Sequence, residues 1–303
     1  MPGSAEPAGG TSVLARGAVR GPAKMARSTA RRLSIATSGF RVLPDYLIVG
    51  TKRGGSTSLH EYLGHHPAIV APNVIKGSHY FDVQFGRGWA WYRSHFPTVF
   101  RRAWMQSRHH LRMVVGEASP YYVFHPRALD RIAAALPSVK LILLARDPVQ
   151  RAYSHHQYEV ARGFESEPIE RALDLEPERL AGEEQRMLDD PAYESFHHRH
   201  HSYLARGLYI EQVARLWALF PRDQVLVIAS EQLFAEPRQA LRRVTDFLGL
   251  QPFEVTSYEH HKSNRYETMT TAVRRRLAEF FAEPNHRLYD ALGVDFGWTT
   301  PDA

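Results

Sequence analysis

The sequence predicts an α/β fold in which a central parallel β-sheet is flanked by helices on both faces. Four short apolar segments, often rich in β-branched residues, alternate along the chain with helical segments. Strands that are separated by helices pair in parallel, so this alternation indicates a parallel sheet. The chain of 303 residues is 44% hydrophobic, which is enough for one large core or two smaller ones.

Each element follows from a local pattern. The first strand is an apolar run that stops at Gly50, and the helix after the third strand opens with Pro148, which suits a first helical turn. The strand candidates are Tyr46–Val49, Met113–Gly116, Lys140–Ala145 and Gln224–Ala229. The helical candidates are Ser56–Leu63, Pro126–Ala135, Val149–Arg162, Leu208–Phe220 and Pro237–Leu248. Ligands of such folds bind beyond the carboxyl ends of the strands, so a site is expected there.

Residues 1–43 differ in composition from the rest and predict a disordered basic leader. They are rich in Gly, Ala, Ser, Pro and Arg, and they hold seven of the 38 basic residues but one of the 32 acidic ones. The net charge of +6 therefore lies in the leader, and residues 44–303 are expected to form a single, formally neutral domain. Such a leader suits a solvated tail, weak contact with a membrane surface, or a transit peptide. We expect a cytoplasmic protein, with a peripheral position at the membrane as the alternative.

The composition disfavours several classes of protein. The absence of cysteine excludes disulfides, cysteine-ligated zinc and thiol nucleophiles. No apolar run reaches about 18 residues, which predicts no membrane-spanning helix. Because the predicted domain has no basic excess, a nucleic acid is not expected as a partner.

The segment YLIVGTKRGGSTSL, residues 46–59, predicts a turn that binds an anion. A strand that leads directly into a helix presents unpaired backbone N–H groups at the helix start. Two glycines allow a close approach of the ligand, three hydroxyls donate hydrogen bonds and two cations add charge. The cations precede the glycines, unlike in a Walker A loop, so phosphate or sulfate is expected rather than ATP or GTP. The predicted binding residues are Lys52, Arg53, Gly54, Gly55, Ser56, Thr57 and Ser58.

A second anion site is predicted in LILLARDPVQRAYSHHQYEV, residues 141–160. Arg146 follows a buried strand, where a guanidinium can bind a phosphate through two hydrogen bonds. Ser154 lies about two helical turns further on. Two such sites at the ends of successive parallel strands suit a ligand with two separated anionic groups.

A third cationic segment is HHKSNRYETM, residues 260–269, in which Lys262, Asn264 and Arg265 could close over a bound nucleotide. An ordinary surface loop is an equally good interpretation of this segment. Residues 164–200 predict an acidic helical insertion, which could be solvated or act as a lid. His197 and His201 in this insertion would share a helix face, but no metal is expected because no carboxylate motif accompanies them.

These motifs together resemble those of sulfotransferases that use 3′-phosphoadenylyl sulfate (PAPS), especially the branch of heparan sulfate 3-O- and N-sulfotransferases and their bacterial relatives. GTKRGGSTSL resembles the 5′-phosphosulfate loop, and LARDPVQRAYSHHQ resembles the 3′-phosphate segment, with Arg146 and Ser154 at the family positions. KGSHYFDVQFGRGWAWYRSHFP, residues 76–97, resembles the segment after the first helix. HKSNRYETM and the later DFGW resemble the closing loop and the carboxyl-terminal signature. The resemblance covers about residues 44–299.

The resemblance implies a P-loop-like fold and the transfer of a sulfuryl group from PAPS, without a metal, to an acceptor hydroxyl on a carbohydrate or glycolipid. An amine (N-) sulfotransferase and a non-catalytic nucleotide- or glycan-binding relative are the alternatives, and a Mg²⁺-dependent nucleotide kinase is a weaker one. The aromatic run WAWYRSHF, which contains Trp89 and Trp91, could line the acceptor cleft or pack in the core.

Two positions depart from the family pattern. The family usually has Lys directly before the glycine pair, and the resemblance therefore assigns the contact with the bridging oxygen to Arg53. In the heparan sulfate branch a Glu acts as the base at the position of Gly77, and glycine cannot act as a base. His79 and Glu117 are the remaining candidates. Glu117 is favoured because it should follow its strand at the edge of the cleft.

Overall fold

A computed structural model describes residues 22–72, 76–255 and 268–298 of the chain, and only the backbone of residues 22–28. At its centre lies a five-stranded sheet in the order β2-β3-β1-β4-β5, with every neighbouring pair parallel. The strands are β1 (Tyr46–Gly50), β2 (Ile69–Val70), β3 (Val114–Ala118), β4 (Lys140–Ala145) and β5 (Val225–Ala229). The parallel topology confirms the predicted fold class.

The helices before β4 connect and cover the first strands, and those after it include the acidic insertion and a long helix near the end of the described chain. The first group is α1 (Pro22–Ala36), α2 (Ser56–Gly64), α3 (Trp89–Arg93), α4 (Val99–His109) and α5 (Ala128–Ala135). The second is α6 (Pro148–Ala161), α7 (Ile169–Leu180), α8 (Glu183–Asp189), α9 (Phe196–His200), α10 (Tyr209–Leu219), α11 (Ser230–Ala235), α12 (Pro237–Leu248) and α13 (Thr271–Leu292). None of these helices combines the length and apolar character that a membrane crossing requires.

Successive side chains of each strand enter two different apolar layers, as the period of two in a β-strand requires. Leu47 and Val49 of β1 join a layer that includes buried residues of α5 and α10. Tyr46 and Ile48 join the opposite layer, which includes buried residues of α2 and α12. The sheet is thus covered by helices on both faces, as predicted.

The predicted strands and helices agree with the observed ones to within one or two residues, with one difference that matters for the site. The strand predicted at Met113–Gly116 continues to Ala118, because Leu47 and Ile48 of β1 pair in register with Glu117 and Ala118. Glu117 therefore lies inside β3 rather than after it. The short strand β2 was not predicted.

The expectation of disorder through residue 43 is wrong for residues 22–43. They form α1 and then a segment that pairs with the chain before α4. The N–H of Val42 donates to the carbonyl of Pro97 at 3.0 Å, and Arg41 forms an antiparallel bridge with Thr98. Val42 is buried in the core. Composition could not reveal this order because it comes from contacts about 55 residues apart in sequence.

The acidic insertion at residues 164–200 is helical, as expected, and contains α7, α8 and α9. Buried Ile169, Ala172 and Leu173 of α7 pack in an apolar cluster with residues of α6 and α13. Glu176 of α7 accepts hydrogen bonds at 2.7–2.9 Å from the backbone N–H groups of Tyr203, Leu204 and Ala205. The insertion is therefore packed against the rest of the domain.

Candidate active site

A cleft of about 950 Å³ lies beyond the carboxyl ends of β1, β3 and β4. Its described lining contains seven basic side chains and one carboxylate, that of Glu231. A cleft with such an excess of positive charge is suited to a polyanionic ligand. The basic residues are Lys52, Arg53, Lys76, Arg146, Arg162, Arg199 and Arg206.

The two glycines of the turn between β1 and α2 are required by the protein's own packing. A Cβ atom on Gly54 would lie 2.8 Å from the carbonyl oxygen of Leu144 in β4, and one on Gly55 would lie 2.9 Å from Cζ of Phe234. Gly55 also has a φ of +88°, a conformation that favours glycine. The prediction that the glycines exist to admit a ligand was therefore incomplete, since they first let the turn close onto the sheet and α11.

The three hydroxyl residues at the start of α2 divide into two groups. Ser56 and Thr57 line the cleft, and Lys76 Nζ donates to their hydroxyls at 3.3 and 2.7 Å. Ser58 is 1% exposed, does not appear in the lining, and its Oγ has no hydrogen-bond partner within the described ranges. The cleft thus presents two of the three predicted hydroxyls at the start of a helix.

The two predicted anion sites come together in space. Arg53 Nε donates to Ser154 Oγ at 3.0 Å, and Arg146 Nη1 donates to the carbonyl of Arg53 at 3.1 Å. The Arg53 guanidinium also lies over the Tyr158 ring, with Cζ 4.8 Å from the ring centroid. Residues that are about 100 positions apart in sequence therefore form one cationic wall.

Lys52 is held by a carboxylate of the protein itself. Its Nζ lies 2.5 Å from Glu159 Oε1 and 3.2 Å from the carbonyl oxygen of Arg199. The buried Glu159 also accepts from His200 Nδ1 at 2.8 Å, and His155 Nε2 lies 3.3 Å away. Burial alone would raise the pKa of Glu159, but these partners outweigh burial and hold the pKa well below its usual range. This carboxylate is therefore ionised and neutralises part of the charge of Lys52.

Glu117 is 1% exposed and does not appear in the cleft lining. Its Oε2 accepts the backbone N–H of Ser78 at 2.5 Å, and its Oε1 accepts the hydroxyls of Tyr122 and Tyr92 at 2.9 and 3.2 Å. Burial raises the pKa of this carboxyl group. Its contacts tie the segment that begins at Lys76 to the sheet.

His79 does line the cleft, and its side chain is 37% exposed. Its Nδ1 lies 2.7 Å from Oδ2 of the buried Asp82, and its backbone N–H donates to Ser119 Oγ at 3.1 Å. In the described structure Nε2 of His79 makes no hydrogen bond. Burial alone would lower the pKa of His79, but the hydrogen bond and charge of Asp82 outweigh burial and raise it.

Gly77 is packed too tightly against β3 to carry a side chain. A Cβ atom there would lie 2.1 Å from the carbonyl oxygen of Ala118 and 2.8 Å from Ser119 Oγ. The N–H of Ala118 donates to the carbonyl of Lys76 at 3.1 Å, which holds the two segments together. A glutamate could occupy this position only if the backbone moved.

Four cations of the cleft were not among the predicted site residues: Lys76, Arg162, Arg199 and Arg206. Lys76 lies in a segment that the family resemblance had already singled out, so that signal could have identified it. The other three come from the end of α6, from α9 and from the loop after it, where no spacing connects them with the turn. Arg206 is 1% exposed, and its guanidinium lies over the rings of Tyr121 and Phe124 at 4.9 and 4.6 Å.

Three further predictions are answered in different ways. Lys262, Asn264 and Arg265 lie outside the described residues. Trp91 is buried, and Trp89 packs against the same apolar cluster, so this aromatic run contributes to the core and not to the cleft lining. The Nδ1 atoms of His197 and His201 lie 2.8 Å apart. Within the described ranges no group of three or more His, Asp or Glu side chains is arranged to hold a metal ion.

Comparison with known proteins identifies the family. Residues 43–282 match the sulfotransferase domain family. The chain belongs to this family. This finding confirms the resemblance seen in the sequence motifs.

Individual sulfotransferases are similar over most of the chain. "Membrane-associated sulfotransferase kil1" of Dictyostelium discoideum is 24% identical over 84% of this chain, and human "Heparan sulfate glucosamine 3-O-sulfotransferase 3B1" is 30% identical over 86%. The chain spans 66% of the length of each of these two relatives. The crystal structure of a sulfotransferase from Alicyclobacillus acidocaldarius is 30% identical, with a TM-score of 0.60, over 84% of this chain and 98% of that one.

Proposed function

We propose that this sulfotransferase transfers a sulfuryl group from PAPS to a hydroxyl group of a carbohydrate or glycolipid acceptor. The observation that carries the proposal is the cleft, in which seven basic side chains and the start of α2 surround a space of about 950 Å³. Membership of the family supports the reaction class. The similarity to a heparan sulfate glucosamine 3-O-sulfotransferase supports a carbohydrate acceptor and an oxygen nucleophile.

The residues of the cleft fit a donor that has a 5′-phosphosulfate and a 3′-phosphate. We assign Arg146 and Ser154 to the binding of the 3′-phosphate. Arg53, in the turn after β1, forms hydrogen bonds with both residues. Ser56 and Thr57, with the backbone N–H groups at the start of α2, form the group assigned to the 5′-phosphosulfate. When bound, PAPS supplies a sulfuryl group attached to a phosphate that can leave.

The charge that develops on the leaving phosphate oxygen requires nearby cations. Arg53 and Lys76 both line the cleft, and Lys76 Nζ already contacts the hydroxyl of Thr57 at 2.7 Å. We assign to both residues the stabilisation of this oxygen, with Lys76 beside the helix start. Lys52, which is paired with Glu159, is assigned mainly to building the cleft wall.

We assign the role of general base to His79 rather than to Glu117. A base must lie within hydrogen-bond reach of the acceptor hydroxyl, and His79 borders the cleft whereas Glu117 is enclosed by three donors. Asp82 accepts a hydrogen bond from the Nδ1–H group, which leaves the lone pair of Nε2 available to the acceptor. The proton of the acceptor hydroxyl would pass to Nε2.

The first experiment is calorimetric binding of adenosine 3′,5′-bisphosphate without added metal to the wild type, to Arg146→Ala and to the control Arg238→Ala. Arg238 is 75% exposed on α12 and is not part of the cleft lining. We expect binding by the wild type and the control, and a loss of roughly tenfold or more in Arg146→Ala, since hydrogen bonds to charged groups contribute about 1.5–3 kcal/mol. No binding by a folded wild type would refute the assignment of the donor site.

The second experiment separates an enzyme from a binding protein. Transfer of radiolabelled sulfate from PAPS is measured with hydroxyl-bearing sugars and with matched amino sugars as acceptors. The proposal expects transfer to a hydroxyl, and a His79→Ala variant that binds the nucleotide normally but transfers poorly. Transfer to the amine alone would support an N-sulfotransferase. Nucleotide binding without transfer to any acceptor would support a non-catalytic relative.

A further inference from the structure

One surface of the molecule combines exposed apolar side chains with basic ones. We call it the α1–α4 surface and define it as residues 29–43 and 98–112. Four large apolar side chains on it are more than half exposed: Phe100 at 68%, Leu33 at 65%, Phe40 at 58% and Trp104 at 56%. Clustered exposure of this kind marks an interaction site, whereas single exposed apolar residues are common.

The exposed apolar side chains are close to one another. The rings of Phe40 and Phe100 are stacked, with centroids 6.1 Å apart. Trp104 lies one turn after Phe100 on the same face of α4. Leu33 lies in the last turn of α1, directly before the short helix that contains Phe40. The aromatic groups thus form a patch that joins α4 to the short helix at residues 38–40, and Leu33 lies on the helix directly before that short helix.

Helix α4 buries little of its surface against the rest of the protein. Met105 is its one buried residue. At 100° per residue, Phe100, Trp104, Arg108 and Arg101 occupy an arc of roughly 100° next to the side that holds Met105. The helix therefore presents an exposed face on which aromatic and cationic side chains are adjacent.

The Lys, Arg, Asp and Glu positions of this surface are all occupied by basic residues. Residues 29–43 and 98–112 contain seven Arg residues and no Asp or Glu. Asp45, which follows the first segment, is paired with Arg102 at 2.8 Å. A pocket of about 460 Å³ at the same end of the molecule is lined in part by Arg102, Arg112 and Lys140. The surface is therefore complementary to a negatively charged partner.

We propose that the α1–α4 surface docks onto an anionic lipid bilayer. Trp and Phe side chains would enter the interfacial layer of the membrane, and the neighbouring arginines would contact the lipid phosphates. A second copy of this surface is a poor partner because like charges repel. The aliphatic Leu33 and Val99, which are also exposed on this surface, find apolar contacts in a bilayer that a nucleic acid does not offer.

The position of the surface is compatible with catalysis on the membrane. Arg102 binds Asp45, which directly precedes β1. The α1–α4 surface thus lies near the starts of the strands, whereas the cleft lies beyond their carboxyl ends. Docking through this surface would leave the cleft open to its ligands. The inference does not depend on the proposed sulfuryl transfer.

Vesicle flotation of the full chain tests the inference. Vesicles of phosphatidylcholine alone and of phosphatidylcholine mixed with phosphatidylserine are compared at about 0.1 M salt, where the screening length is about 10 Å. The variants are Phe100→Ala/Trp104→Ala and Arg101→Glu/Arg108→Glu. The matched controls are Phe280→Ala and Arg238→Glu, which change one exposed aromatic and one exposed arginine on α13 and α12. Thermal melting establishes that every variant is folded.

We expect the wild type to bind the anionic vesicles, and we expect this binding to weaken as salt is added. Loss of a basic residue near an anionic surface weakens binding roughly fivefold, so the double arginine variant should bind at least ~20-fold more weakly. The aromatic variant should also bind more weakly, and the controls should bind like the wild type. Failure of the wild type to float, or unchanged binding in both double variants, would overturn the inference. So would a dimer that the variants dissociate, or tighter binding to a single-stranded oligonucleotide than to the vesicles.

Discussion

The replacement Asp82→Asn tests the assignment of His79 as the base more sharply than removal of the imidazole itself. Asp82 Oδ1 accepts the backbone N–H of Val83 at 2.6 Å, and Oδ2 lies 2.7 Å from His79 Nδ1. An asparagine would keep its oxygen on the Val83 N–H and turn its NH₂ group toward Nδ1. Nδ1 would then have to accept a hydrogen bond, and the ring proton would move to Nε2. The atom that faces the acceptor would become a donor.

The expected loss follows from the role of the base. Removal of general base catalysis costs roughly 10²–10⁴-fold in rate, so kcat of Asp82→Asn should fall by about this factor. The affinity for adenosine 3′,5′-bisphosphate should change little, because Asp82 is not part of the cleft lining. The exposed Asp130, whose side chain is 63% exposed on α5, supplies the control Asp130→Asn, which should leave kcat unchanged.

The pH dependence gives a second, independent readout. The base must be neutral, so activity should be lost as the pH falls through the pKa of His79. Asp82 raises this pKa, and its replacement leaves burial, which lowers the pKa, as the main influence. The residual activity of Asp82→Asn should therefore persist to lower pH than that of the wild type. Unchanged kcat, or a shift of the acid limb to higher pH, would refute the assignment.

Three other substitutions have distinct expected outcomes. Gly77→Glu should destabilise the fold by about 1–3 kcal/mol or more through overpacking, measured by denaturant unfolding; a stable variant with higher kcat would contradict the observed packing. Glu117→Gln should cost about 1–3 kcal/mol because, with its oxygen kept on the N–H of Ser78, its NH₂ group would face the hydroxyls of Tyr92 and Tyr122, which now donate to Glu117. The folded enzyme should keep its kcat, and lost kcat at unchanged stability would restore Glu117 as the base. Lys52→Met should lower stability by about 1–3 kcal/mol, since the buried carboxylate of Glu159 would lose its lysine partner and keep only the contacts with His155 and His200. Calorimetry should show that Lys52→Met retains its affinity for the nucleotide and that Arg53→Met binds it roughly tenfold more weakly. A larger loss of affinity in Lys52→Met than in Arg53→Met would be inconsistent with the pairing of Lys52.

Much of the fold could be predicted because its elements have local signals. The buried strands read as apolar runs, and β4 and α12 were predicted with the same bounds as in the structure. What could not be predicted depends on distant contacts. The strand β2 has two residues and is defined by pairing with β3, and α4 buries one residue, so its apolar pattern does not indicate a core-facing helix.

The site was predicted in part, for a physical reason. The turn after β1 and the segment after β4 lie at adjacent strand ends, so parallel pairing brings Arg53, Arg146 and Ser154 together. A sequence motif does not show which of its polar residues face the ligand. Ser58 is buried, and Lys52 is paired with Glu159, a residue 107 positions away. Those outcomes depend on tertiary contacts that no local pattern contains.

The presence of glycine at position 77, where the family pattern has glutamate, has a consequence for the position of the acceptor. Gly77 and His79 both border the cleft, but a side chain at position 77 would collide with the backbone of β3, whereas the imidazole of His79 is accommodated. A base acts within about 3 Å of the proton that it removes. If His79 is the base, the reactive hydroxyl must lie beside its imidazole ring, and no group at position 77 can replace it. Substitutions in the cleft lining near His79 should then change acceptor specificity more than any side chain introduced at position 77.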